Sequence, residues 1–227
     1  MKNIHWLGSG LSSIPGIRRL ASKNRKLTVW NRTLSKAQKS IDHVKTDNVS
    51  AKTFNINEIR EKADQGDIIV SQLTASMHLD IAKICLEKKC HFITTSYLSA
   101  DIRKLNIQAI DQNLIFLNEV GLDPGIDHFF SHLIVQNLKS LNLNNLSVSY
   151  KSYCGGIPAV PNDFKYKFSW SPVGVIKALN SPAKFIQNYE KKLVQQPYKE
   201  VTNYLIKNES FEAYPNRDSL PYIEEYL

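Results

Sequence analysis

Cysteine is scarce in this chain. Cys85, Cys90 and Cys154 are scattered through 227 residues, with no C-x-x-C pair and no histidine–cysteine ligand spacing. That argues against a disulfide framework and a structural zinc, so no metal is expected and reduced thiols are the default. Long apolar runs are also missing, and no window approaches the roughly eighteen apolar residues of a membrane span. The opening MKNIHWLGSG carries no apolar leader region. The expectation is a soluble, cytoplasmic protein without a membrane partner. Clustered charge is the third absence. The net charge is +8, yet the 29 Lys and Arg are spread along the chain without an RGG tract or a zinc-finger pattern. Solvated helix faces are the plainest reading of this charge. A bias towards anionic small molecules comes second, and nucleic acid is not expected as a partner.

What is present is a rhythm. Short β-branched runs alternate with stretches of helical periodicity. The strands are read at 2–7, 26–31, 50–56, 67–73, 91–95 and 114–118. Helices fall between them, the second capped by Thr33, and the stretch 99–113 reads as a single helix. Such alternation predicts an α/β fold, a doubly wound parallel sheet with helices on both faces. After residue 128 the rhythm changes to a long helix over about 126–139, a strand at 146–153, a glycine-proline loop and an aromatic-rich region. The boundary is set near residue 125, giving a nucleotide-binding domain over 1–125 and part of an α+β substrate or dimerisation domain over 126–227.

Two turns point to a dinucleotide. GSGLSSIPG, residues 8–16, follows the first strand and opens the first helix. Gly8 can make the tight turn, and Gly10 can admit a pyrophosphate to the helix N-terminus. The third glycine of the G-x-G-x-x-G fingerprint is replaced by Ser13, a residue small enough for close helix–sheet packing. An ordinary βα turn would read the same way. The second strand ends in Asn31-Arg32-Thr33, where a reader of NAD usually carries an acid for the ribose hydroxyl. An arginine with amide and hydroxyl donors suits a 2′-phosphate, so NADP(H) is favoured, although Arg32 can equally be a surface residue.

The stretch NEVGLDPGIDH, residues 118–128, sets Asp123 at the tip of a Gly-Leu-Asp-Pro-Gly turn after the sixth strand. Ligands of open α/β sheets bind outside the carboxyl ends of the strands. Tyr97 follows the fifth strand, and Cys154 follows the strand expected at 146–153. Each has a plainer alternative: Asp123 as a helix cap, Tyr97 as packing, and Cys154 as a small buried hydrophobe.

The segments NEVGLDPGIDH, SYCGGIPA, YKFSWSP and YPNRDS, following GSG, NRT and TTSYLS in this order, resemble the saccharopine reductases, the NADP-dependent, glutamate-forming saccharopine dehydrogenases. The resemblance covers the chain from residue 2 to its end. It implies a Rossmann domain joined to a domain built on a mixed sheet, commonly in a homodimer, reducing the imine of aminoadipate semialdehyde and glutamate to saccharopine. Carried over residue by residue, it places Ser9, Gly10, Leu11 and Ser12 at the phosphates and Asn31, Arg32 and Thr33 at the adenosine end. Leu73, Thr95, Ser96, Leu122, Asp123, Pro124 and Ser171 would line the nicotinamide side. Ser96, Tyr97, Asp123 and Arg217 would contact substrate, with Cys154 beside them. Asp123 and Tyr97 would be the catalytic groups, Cys154 with them.

The chain departs from the family's pattern in several places. Thr74-Ala75 stands for Pro-Tyr, Asn55 for an acid, and Val173 for a basic residue, and the loop after CGGIPA is short. Family chains also continue well beyond YPNRDS. The alternative expectation is therefore a degenerate NADP(H)-binding protein, or half of a split enzyme whose partner chain supplies the missing C-terminal part.

Overall fold

The computed structural model describes residues 1–23, 25–141 and 147–226. They fall into two compact units, Met1–His128 and Phe129–Leu227.

The first unit is a parallel six-stranded sheet. Its strands are β1 (Ile4–Leu7), β2 (Leu27–Asn31), β3 (Val49–Thr53), β4 (Ile68–Ser71), β5 (His91–Thr94) and β6 (Phe116–Leu117), in the spatial order β3-β2-β1-β4-β5-β6. The order reverses at β1, which pairs with β2 and β4 in the registers Ile4↔Leu27 and Ile4↔Ile68. That switch point is where a doubly wound sheet opens a crevice for ligands.

Side-chain alternation along the strands builds a core on each face. On one face Leu7, Trp30, Ile69 and Phe92 pack with Ile59, Ile81, Ile84 and Ile102, contributed by α3 (Ile56–Lys62), α4 (His78–Lys88) and α5 (Ala100–Arg103). On the other, Leu27 and Val29 pack with Ile17, Ala21 and Ala37 of α1 (Ile14–Ser22) and α2 (Leu34–Ile41). Each fully buried Leu, Ile or Phe contributes about 1.5–3 kcal/mol to these cores.

Several local expectations need correction. The stretch 99–113 breaks into α5 and α6 (Asn106–Asp111) instead of one helix. Strand β6 is two residues long, because Leu117 on the open edge is already exposed. Thr33 stands at the N-cap of α2, but its side chain makes no cap bond. Asn55, in place of the family's acid, caps α3 by accepting from the amides of Asn57 and Glu58 at 2.9 and 3.3 Å. Residues 147–153 form no strand, and Leu146 lies outside the described residues.

The second unit takes most of α7 (Ile126–Ser140), then α8 (Pro172–Asn180), two hairpins and α9 (Pro221–Tyr226). The hairpins pair β7 (Ala183–Gln187) with β8 (Glu190–Val194) and β9 (Thr202–Ile206) with β10 (Glu209–Ala213). Their turns, Asn188-Tyr189 and Lys207-Asn208, put both central residues at positive φ, the left-handed geometry that closes a two-residue hairpin. Tyr153 stacks on Tyr204 with centroids 4.0 Å apart, and the Ser131 and Tyr150 hydroxyls meet at 2.7 Å. Few apolar side chains are covered. Among the described residues Ala178, Ala183 and Pro197 are buried, while Phe129 and Phe164 are each 72% exposed and Leu205 is 70% exposed.

Candidate active site

The carboxyl ends of β1, β4, β5 and β6 form one rim. Gly8 ends β1 at φ +99°, and a Cβ there would lie 2.7 Å from the Gln72 carbonyl oxygen at the end of β4. Only glycine meets both demands. The Thr95 hydroxyl, after β5, donates to Gln72 Oε1 at 3.1 Å. A Cβ on Gly121, after β6, would sit 3.1 Å from the Thr95 Cβ. Close backbone approach thus joins the four strand ends.

The phosphate turn fits an anion. Gly10 has open space where a Cβ would stand, and Leu11 and Ser12 are exposed. Ser13 precedes α1 without a side-chain cap bond, so the amides of Ile14 and Gly16 are not spent on that side chain, while Pro15 between them has no N–H to offer. The expected packing role of Ser13 belongs instead to Gly16. A Cβ at Gly16 would lie 2.7 Å from the Trp6 ring, so the tight helix–strand contact falls three residues later.

The Asn31 amide links the two ends of the dinucleotide region. Its Nδ2 donates to Ser9 Oγ at 2.7 Å, and its Oδ1 accepts from the Thr33 amide at 3.0 Å. Asn31 therefore holds the Gly8–Gly10 turn to the end of β2, and Arg32 and Thr33 beside it are exposed. No acid stands in the Asn31-Arg32-Thr33 triplet. On donor type, charge and backbone access, the residues present fit NADP(H).

Across the rim, the Tyr97 hydroxyl donates to Asp123 Oδ1 at 2.7 Å. Asp123 sits in a turn pinned by the Gly121 amide on the Pro124 carbonyl at 2.9 Å, with a cis peptide between Asp123 and Pro124. The helix-cap alternative fails, since no helix amide donates to Asp123 among the described residues. The Gly125 amide goes to Asp127 Oδ1 at 2.6 Å. Asp123 Oδ2 keeps no partner among those residues. Leu122 is exposed and Pro124 buried, while Leu73 packs against the core.

Two supporting residues carried no assigned role in the sequence. Glu119, in the left-handed region at φ 59°, accepts from the Leu98 amide at 2.9 Å and faces His128 Nε2 at 3.4 Å. It braces the segment carrying Tyr97 against the turn carrying Asp123. Its position directly after β6 was the available signal. Buried His78 meets Ser96 Oγ at 2.8 Å across eighteen residues of sequence, and no local pattern announces that contact.

The remaining candidates lie in the second unit. Cys154 is exposed, which removes its reading as a buried hydrophobe. Cys85 and Cys90, by contrast, are buried, and burial pushes the Cys90 thiol up to about 11. Ser171 caps α8, accepting from the Gly174 amide at 3.2 Å, and Val173, the second residue of that helix, is exposed. Arg217 is exposed at φ 55°, its carbonyl accepting from the Lys184 amide at 2.8 Å. No group of three metal-ligating side chains occurs among the described residues, and no helix there is long and apolar enough to cross a membrane.

Comparison with known proteins yields consistent matches. Residues 4–117 match the saccharopine dehydrogenase NADP binding domain, and residues 121–227 the saccharopine dehydrogenase C-terminal domain. The NADP(+), L-glutamate-forming saccharopine dehydrogenase of Schizosaccharomyces pombe is 35% identical, over 100% of this chain and 52% of its own length. The mitochondrial alpha-aminoadipic semialdehyde synthase of Mus musculus is 30% identical over 99% of this chain and 25% of its own. The apo saccharopine dehydrogenase structure from Saccharomyces cerevisiae superposes with a TM-score of 0.81 at 30% identity, covering all of this chain and 52% of that one. The chain thus spans about half the length of the saccharopine dehydrogenases it matches.

Proposed function

The chain belongs to the saccharopine dehydrogenase family, and from that premise we propose an NADP-dependent oxidoreductase that interconverts saccharopine with glutamate and aminoadipate semialdehyde. The observation that carries this reading is the Tyr97–Asp123 pair at the carboxyl ends of β5 and β6, on the same rim as the Gly8–Gly10 turn.

The bound nicotinamide supplies hydride chemistry, and the protein supplies position and field. Ser9, Gly10, Leu11 and Ser12 would hold the phosphates through backbone amides and hydroxyls. Arg32 and Thr33 would take the 2′-phosphate, with Asn31 bracing the turn. Thr95, Ser96, Leu122 and Pro124 would bound the nicotinamide side, with Leu73 behind them. Asp123 keeps Oδ2 for the substrate nitrogen, whose positive charge in the imine state it stabilises. Tyr97 donates to Asp123 in this structure, so its first task is to orient that carboxylate. In the second unit, Arg217 carries a planar guanidinium of the kind that pairs with a carboxylate.

A second reading rests on a specific observation. The second unit leaves Phe129, Phe130, Phe164 and Leu205 exposed. Exposed apolar area of this kind invites association. It favours a homodimer, or a complex with a partner chain, with NADP(H) bound but turnover dependent on that partner.

Titration of NADPH fluorescence, followed by saccharopine with NADP⁺ in the same sample, separates the readings. Binding with turnover supports the reductase. Binding without turnover supports the partner-dependent or degenerate form, and sedimentation then reports whether the protein is already dimeric. Absence of binding refutes both.

A further inference from the structure

His78 opens α4 and is buried to 2% exposure, edge-on to the Phe92 ring with centroids 6.4 Å apart. Nothing in the proposed chemistry uses it, yet both of its ring nitrogens are engaged. Nδ1 lies 2.9 Å from Ser71 Oγ, and Nε2 lies 2.8 Å from Ser96 Oγ, with Thr94 Oγ1 farther away at 3.4 Å. Burial lowers the pKa of the imidazole, which keeps the ring neutral. A neutral ring has one donor and one acceptor, and its neighbours decide which is which.

Ser71 decides it. Its side chain is fully buried, and among the described residues its hydroxyl has no partner besides Nδ1. A buried hydroxyl hydrogen left undonated is costly, so Ser71 donates to Nδ1. The ring proton then resides on Nε2 and is donated to Ser96 Oγ. Ser96 is held a second time through its amide, which donates to Thr94 Oγ1 at 3.3 Å. With its oxygen already accepting from His78, the Ser96 hydroxyl hydrogen is left for a different acceptor.

We propose that His78 is a positioning residue. The Ser71–His78–Ser96 chain fixes the Ser96 rotamer and makes its hydroxyl an outward hydrogen-bond donor to the ligand on the nicotinamide side. The consequence for ligand rests on the NADP(H) reading above; the direction of the chain does not. The reach runs from the end of β4, through the first turn of α4, to the segment after β5. Three parts of the rim are therefore set by one side chain.

Two measurements test this. The first is long-range ¹⁵N–¹H imidazole spectroscopy on the unliganded protein near neutral pH. A neutral His78 ring protonated on Nε2 is expected, and a ring protonated on Nδ1 overturns the proposal. The second is the NADPH dissociation constant of H78F, H78Q, S96A and the H78F/S96A double variant. H78F and S96A should each weaken binding about tenfold, the worth of one buried hydrogen bond. The double variant should be no weaker than the worse single, and H78Q, whose amide can still donate to Ser96, should recover most of the loss. Additive losses, or unchanged affinity in H78F, refute the positioning role. If H78F does not fold, H78Q and the spectrum of the unaltered protein carry the test. Absence of NADPH binding by the unaltered protein would refute the functional reading and leave the tautomer measurement to decide this one.

Discussion

Replacing Tyr97 by phenylalanine removes one oxygen and isolates one interaction. The ring keeps its packing, and Asp123 Oδ1 loses the hydroxyl at 2.7 Å. A hydrogen bond to a charged acceptor is worth about 1.5–3 kcal/mol, and partial exposure of both side chains places this one at the low end. About 1.5 kcal/mol is a little over a factor of ten in the population of the oriented carboxylate. With Asp123 acting on the substrate nitrogen as proposed, kcat for saccharopine oxidation should fall about tenfold, while NADPH affinity stays within about a factor of two. The assay is steady-state NADPH absorbance together with fluorescence titration. Asp123→Ala should lose far more turnover than stability, and adding Tyr97→Phe to it should cost nothing further. Unchanged kcat in Y97F beside an inactive D123A would refute the orienting role. So would a loss confined to NADPH binding.

Three other outcomes are expected. Gly16→Ala should destabilise the first unit by about 1–3 kcal/mol, since its Cβ has nowhere to go but the Trp6 ring, and a thermal melt reports it. Asn55→Ala should cost about 1 kcal/mol through loss of the α3 cap, and Asn55→Asp should restore it, as read by urea denaturation. His5 and His78 are both held below the ordinary value of 6.5, each chiefly by burial, so the unfolded chain binds protons there that the native chain does not. The histidines' contribution to stability should therefore be constant above about pH 7 and decline as the pH drops below about 6.5. A urea midpoint equal at pH 5.5 and 7.5 would contradict the burial of both rings.

The first unit was legible because its signals agree. β-branched runs such as DIIVSQL and the apolar stripe of α4 each repeat at their own period, and strand ends then locate the rim. The two hairpins were not legible. Asn188-Tyr189 and Lys207-Asn208 take left-handed conformations without the glycine that ordinarily advertises such a turn. The sequence also placed the tight packing position at Ser13, because the fingerprint counts from Gly8. The Trp6 ring moves it to Gly16, a shift only the partner's size explains. Tyr97 and Asp123 could each be singled out as polar residues at strand ends. That one donates to the other, leaving a single carboxylate oxygen for the substrate, follows only from the fold. Glu119 and His78 act on neighbours far away in sequence, beyond the reach of any local pattern.

The central place of β1 has a consequence for synthesis. Its first neighbour, β2, begins at Leu27, but its second, β4, begins at Ile68, 41 residues later (68 − 27). At roughly 5–20 residues per second, the ribosome leaves one edge of β1 without its partner for about 2–8 seconds. During that interval Leu7 and Trp30, the inner faces of the future core, have no α4 to cover them. Codon choice and chaperone access between Asn31 and Ile68 should therefore govern the yield of native protein more strongly than the same changes placed after Leu117.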